Sequence, residues 1–111
     1  MKSSAPTSAT YGLLADPRRR YLLWHLSECG RATVEEVATR IAAWERDAAV
    51  EDVPRSRCKR VAASLHHAHL PRLADHGVVD YDRESGEVVL TDDVVDRLPV
   101  AEPVEHAVGR P

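Results

Sequence analysis

The chain has no phenylalanine, a single methionine and only two cysteines, Cys29 and Cys58, among its 111 residues. Two cysteines at that separation make neither a disulfide framework nor a zinc knuckle, so a reduced, cytoplasmic setting is expected. Long apolar runs are also missing. None exceeds four residues, as in Tyr21 to Trp24, where about 20 are needed to span a bilayer. Lys2 is followed by Ser, Ala, Pro and Thr with no apolar centre, so no secretory signal is expected. The short length implies one small domain and excludes a two-lobed enzyme with a cleft between lobes. The motifs of catalysis are absent as well: there is no glycine-rich phosphate loop, nucleophile elbow or paired-acid motif. Ser64 and His67 stand three residues apart, but nothing supplies an orienting acid or an oxyanion hole. The chain is not expected to be an enzyme or to need a cofactor.

Charge, by contrast, is plentiful at 30% of residues, and it is unevenly placed. Residues 1–53 carry a balance of −1. Residues 54–74 hold Arg55, Arg57, Lys59, Arg60 and Arg72 with no acid, a balance of +5. Residues 75–111 carry −7, for a net charge of −3. A basic stripe inside an acidic chain points to an anionic partner met by one short segment. Thirteen of the fifteen basic residues are arginine, which favours bidentate pairing with carboxylate or phosphate.

The pattern predicts helices followed by a hairpin. Residues 1–12 are polar and expected to be flexible. Asp16-Pro17 reads as a helix start, with Asp16 the cap and Pro17 at the first position, where its missing N–H is harmless. That helix runs through Leu22, Leu23 and Leu26 to Gly30. Thr33-Val34-Glu35-Glu36 is a capping box. It opens a second helix to about Arg46, with Val34, Val37, Ala38, Ile41 and Ala42 on one face. An acidic connector, Asp47 to Val53, leads to Pro54 and a third helix reaching about His69. At about 100° per residue, Cys58, Val61, Leu65, Ala68 and His69 fall on its inner side. Ser56, Lys59, Arg60, Ala63 and His67 fall opposite, flanked by Ser64 and His66. Pro71 kinks or restarts the helix, and Gly77 ends it. The period then shortens to 2. Val78–Tyr81 and Glu87–Leu90 are predicted strands around Asp82-Arg83-Glu84-Ser85-Gly86, a loop that suits a type I turn closed by a left-handed residue. Thr91 to Leu98 form a further short helix with Val94, Val95 and Leu98 inward, and a loose tail follows from Pro99. The expected organisation is a flexible segment 1–12, a domain 13–98 and a tail 99–111.

This is an α+β, mostly α arrangement, with three helices then a β-hairpin, the order of a winged helix-turn-helix. The closest likeness lies in Leu70-Pro71-Arg72-Leu73-Ala74-Asp75-His76-Gly77-Val78-Val79-Asp80-Tyr81-Asp82, where winged-helix regulators show a Leu-x-x-Leu-x-x-x-Gly-hydrophobic stretch. With Asp16-Pro17-Arg18-Arg19-Arg20-Tyr21 and the His69-Leu70-Pro71 junction, the sequence over residues 13–92 resembles a small haloarchaeal winged-helix domain family of unknown function, akin to ArsR-like regulators. It departs from compact helix-turn-helix motifs in its long connection, Trp44 to Pro54. The resemblance implies a DNA-binding, dimeric transcriptional regulator that reads the major groove with helix 54–69. Arg55, Arg57 and Lys59 are assigned chiefly to phosphates. Arg60, Ser64 and His67 are assigned to base edges, the small Ser56 permits close approach, and Arg83 at the wing tip reaches the minor groove or a phosphate. Two features oppose this. Asp80, Asp82, Glu84 and Glu87 surround the one wing arginine, and in a salt-loving cell counterion release contributes little. Base contacts, shape and homodimerisation would then carry affinity, with Tyr21, Trp24, Val94, Val95 and Leu98 the candidate dimer contacts.

The alternative is a protein-interaction module of the same fold whose basic helix docks an acidic partner. His66 and His69, three apart, could share a metal, but Cys58 lies too far along the helix and one chain supplies only two ligands. No metal site is therefore assigned. His69 is expected to bond a backbone carbonyl. Arg18-Arg19-Arg20 opposes the dipole of its helix, which hints at a partner anion such as Asp16 or a wing carboxylate. Trp44 is expected to cap the core against the connector.

Overall fold

The Asp16 carboxylate accepts the backbone N–H groups of Arg18 at 2.8 Å and Arg19 at 3.4 Å. With Pro17 in the first turn, it starts α1, Pro17–Cys29. In the computed structural model, residues 12–91 and 102–103 are described. Gly30 ends α1 at φ +86°, and its N–H returns to the Leu26 carbonyl at 2.7 Å. Three extended residues, β1 (Arg31–Thr33), lead into α2 (Val34–Arg46) through the expected capping box. Thr33 Oγ1 accepts the Glu36 N–H at 3.2 Å, and Glu36 accepts the Thr33 N–H at 3.3 Å. α2 stops at Asp47, which is left-handed at φ +53°. A single 3-10 turn, Val50–Asp52, bridges to α3, Arg55–Ser64.

Beyond α3 the same rod continues as a π turn, Leu65–His69, and then as α4, Leu70–Asp75. The Leu70 N–H bonds the Leu65 carbonyl, five residues back. Pro71 explains the wide turn: in a regular helix its ring would strike the His67 carbonyl and leave that carbonyl without a donor. The extra residue opens the turn, so the rod restarts without breaking. Val79–Asp82 (β2) and Glu87–Leu90 (β3) follow.

The strands form one antiparallel sheet in the order β1-β3-β2. Arg31 pairs with Val89 and Thr33 with Glu87, while Val79 pairs with Leu90 and Asp82 with Glu87. Gly86, at φ +78°, closes the β2–β3 turn, and its carbonyl accepts the Val34 N–H at 2.8 Å. The turn is thereby fixed to the start of α2. The result is a mostly helical α+β fold of three helical rods and a small sheet, consistent with a winged helix. No helix among the described residues is long and apolar enough to cross a membrane. Of the predicted helix Thr91 to Leu98 only Thr91 is described, non-helical and with its N–H on the Val78 carbonyl at 3.0 Å; Val94, Val95 and Leu98, and the segments 1–11 and 104–111, lie outside the described residues.

The core lies where the rods meet the sheet. Leu22, Leu26, Ile41, Val61, Leu65, Leu73 and Val88 are each at most 1% exposed. Leu13 and Leu14 are buried in it as well. Ala68, expected on the inner side of the third helix, is exposed, because the π turn moves the chain off the α-helical phase from Leu65 onward.

His69 is buried, as its position implied, but its partner is not a backbone carbonyl. Its Nδ1 lies 3.1 Å from Arg19 Nη1, and its Nε2 lies 3.9 Å from Asp16 Oδ1. A guanidinium only donates, so Nδ1 accepts and the ring proton sits on Nε2, toward Asp16. Burial pushes the imidazole pKa down, Asp16 partly offsets this, and Arg19, Arg18 and Arg72 lower it further. His25 is held low for the same reason, burial first and Arg40 second, with Glu36 opposing. Both rings therefore take up protons more readily in the unfolded chain. Their stability contribution is complete above the ordinary imidazole value of about 6.5 and is lost as pH falls below it toward the folded values. The urea midpoint should fall between about pH 7 and pH 5, and His69→Gln should make that fall shallower; an equal slope in the variant would show that His69 is not the titrating group.

Candidate nucleic-acid interface

α3 holds ten residues, about 15 Å of helix. Val61 and Leu65 anchor its inner side, and Arg55, Ser56, Lys59, Arg60 and Ala63 are exposed on the other. Arg57 and Ser64 are half-buried on the flank, and His67 and Arg83 are exposed. No side chain caps α3, and its first turn contains no acid. Two arginines therefore stand at the positive end of a helix dipole, an arrangement that is unfavourable until an anion arrives. Among the described residues, Arg55, Arg57, Lys59, Arg60 and Arg83 enter no ion pair or side-chain hydrogen bond.

The wing acids are partly used. Arg31 Nη1 lies 2.9 Å from Glu87 Oε2, and Asp82 Oδ1 accepts the Glu84 N–H at 3.0 Å to build the turn. One of the four wing acids, Glu87, is thus charge-paired, while Asp80, Asp82 and Glu84 keep their charge near Arg83.

Beside α3 runs a cleft of about 840 Å³. Its rim carries Arg55 and Lys59 from α3, His67 from the π turn and Arg83 from the β2–β3 turn. Val50, Val53, Cys58 and Ala62 supply an apolar floor, and Glu35 and Thr39 of α2 with Ala63 and His66 complete the lining. Four of the eight residues assigned from sequence therefore share the cleft; Ser56, Arg57, Arg60 and Ser64 lie outside its lining. The π turn is the reason His67 parts from Arg60. A wider turn advances by a smaller angle per residue, which swings His67 back from Arg60 toward Lys59.

The family model for the Domain of unknown function (DUF7344) matches residues 11–89. The chain belongs to the DUF7344 family. The match takes in all three helical rods and every residue lining the cleft. It carries no winged-helix or haloarchaeal assignment. No curated protein and no solved structure matches the chain.

Within this DUF7344 domain, residues outside the sequence-based assignment also shape the cleft. Val50 is the one exposed large hydrophobic residue among those described, at 46%. It sits in a connector whose acids dominate any pattern search, and only its place in the fold shows its role. His66, read from sequence as a flanking residue, has its Nδ1 hydrogen-bonded to the Tyr81 hydroxyl, with ring centroids 5.7 Å apart. Burial raises the Tyr81 pKa, so the phenol stays protonated at neutral pH. This bond ties the π turn to β2.

The arginine run of α1 is consumed inside the domain. Arg18 makes a bidentate pair with Glu45, Nε–Oε2 at 2.5 Å and Nη2–Oε1 at 2.9 Å, and that bond raises its pKa. The main partner anion is Glu45; Asp16, one of the two expected, adds a smaller charge contribution, and no wing carboxylate pairs with Arg18 among the described residues. Arg19 donates to the Leu13 and Gly12 carbonyls, and Arg20 to those of Leu14 and Ala15. Tyr21 packs against both Trp24 and Trp44, at 5.7 and 5.3 Å between centroids. Trp44 thus meets Tyr21 of α1 at the end of α2. Tyr21 and Trp24, expected as dimer contacts, are each half-buried. His66 and His69 are held by Tyr81 and Arg19, and no group of three potential metal ligands occurs among the described residues.

Proposed function

We propose that this chain is a winged-helix DNA-binding protein without catalytic activity, a dimeric transcriptional regulator of the cytoplasm that reads the major groove with α3. One contrast carries the reading. The cations of α3 and the wing turn have no internal partner among the described residues, while Arg18, Arg19, Arg20 and Arg31 are all satisfied within the domain. Arg46 and Arg72 are exposed and unpaired among the described residues as well, but α3 alone carries four open cations on one short helix, and that face is available for phosphates. Arg55, Arg57 and Lys59 contact the backbone near the start of α3. Arg60 and Ser64 reach base edges from the outer face and His67 from the cleft side, while Arg83 enters the adjacent minor groove or meets a phosphate. A homodimer would set two such helices about 34 Å apart, one duplex turn.

A salt titration with duplex DNA tests this. Three phosphate contacts per protomer predict a slope of log K on log salt near −3 per protomer, with a residual preference over scrambled duplex at high salt. A slope near zero would remove the reading. The apolar floor of the cleft favours a second one, in which the same fold docks an acidic protein partner through α3.

A further inference from the structure

The chemistry of the cleft exceeds what a DNA backbone requires. A sugar–phosphate strand is polar and hydrated, and it gains nothing from Val50, Val53, Cys58 and Ala62 beneath it. Val50, the one exposed large hydrophobic side chain among the described residues, stands in this lining. Arg55, Lys59 and Arg83 line the same cleft, and Glu35 is the single carboxylate in the lining. About 840 Å³ lies within the range of small-molecule sites, which combine an apolar body with a few polar groups that fix orientation.

We propose that this cleft is a binding site for a small organic carboxylate with an apolar body, seated with its hydrocarbon or aromatic part on Val50, Val53 and Ala62 and its carboxylate between Lys59, Arg55 and Arg83. Three cations against one acid select the charge, and the floor selects against simple inorganic anions. The same cations belong to the surface assigned above to DNA. A bound carboxylate therefore occupies groups the duplex needs, and the ligand acts as a releasing signal. That regulatory clause rests on the DNA reading; the binding site does not.

The test uses the full chain and three probes: 2-naphthoate, its neutral counterpart 2-naphthamide, and inorganic phosphate, titrated by calorimetry without DNA. Saturable naphthoate binding at least about tenfold tighter than either other probe is expected. Lys59→Gln/Arg83→Gln should weaken it by about tenfold or more, and Ala62→Phe, which fills the floor, should do the same. Circular dichroism confirms that each variant is folded, and two variants of opposite kind guard against one failing to fold. Absence of saturable binding, equal binding of naphthamide or of phosphate, or folded variants that bind like the parent would each overturn the site. An acidic peptide that binds more tightly than naphthoate would overturn it in favour of protein docking. In a separate arm, saturating naphthoate should weaken duplex affinity. Naphthoate binding with no duplex binding at all would uphold the site and remove the regulatory clause with the DNA reading.

Discussion

Lys59→Glu/Arg60→Glu abolishes measurable duplex binding, lowering affinity by about a hundredfold or more at moderate salt, and leaves the fold intact. Each substitution reverses a charge, so the pair moves the recognition face by four units toward repulsion. Both side chains are exposed and have no ion-pair partner among the described residues, so folding loses little. The two positions also lie on different sides of the face: Lys59 lines the cleft and Arg60 does not. Their single variants separate two roles. Lys59→Ala should weaken all duplexes about equally and lower the salt slope by about one, whereas Arg60→Ala should chiefly erode the preference for a specific site. Fluorescence anisotropy with specific and scrambled duplexes reads both. A double variant that is folded and still retains duplex would transfer support to the protein-docking reading.

Leu65→Ala should be the most destabilising single truncation near the site, at about 2–5 kcal/mol. Leu65 has no solvent exposure and stands where the rod changes from α to π. Its removal leaves a cavity between the rod and the rest of the core. A domain of this size holds about 5–10 kcal/mol in all, so the loss takes a large share of the total. The thermal midpoint should fall by about 10–30 °C. Chemical and thermal denaturation check this, with Ser56→Ala on the exposed face as a control that should change little. A Leu65→Ala loss below about 1 kcal/mol would mean that the inner side of the π turn is not packed as described.

Local chemistry was legible wherever one or two residues decide the outcome. Asp16-Pro17 starts α1, Thr33 and Glu36 close a capping box, and Gly30 and Gly86 take positive φ, as their types imply. The open basic face of α3 was legible too, because a stretch of 21 residues without an acid cannot pair its own cations along the helix. β1 was not. Three residues are too few to show alternation, and Thr33 already signals a helix. Nor was the π turn: Pro71 announces a disturbance, but its remedy depends on what α4 must pack against.

Composition and short-range spacing thus determined where the helices and the hairpin lie, which face of α3 is charged, and that no membrane span or catalytic motif is present in the sequence. Tertiary structure decided the rest. It assigned Glu45 to Arg18 and Arg19 to His69, paired β1 with β3, swung His67 toward Lys59, and assembled a cleft from α2, the connector, α3 and the wing turn. The physical reason is range. Caps, turns and helical phase act over about four residues, whereas the ion pair, the histidine contact and the strand pairing join residues 27 to 58 positions apart, and only packing of the whole chain brings them together.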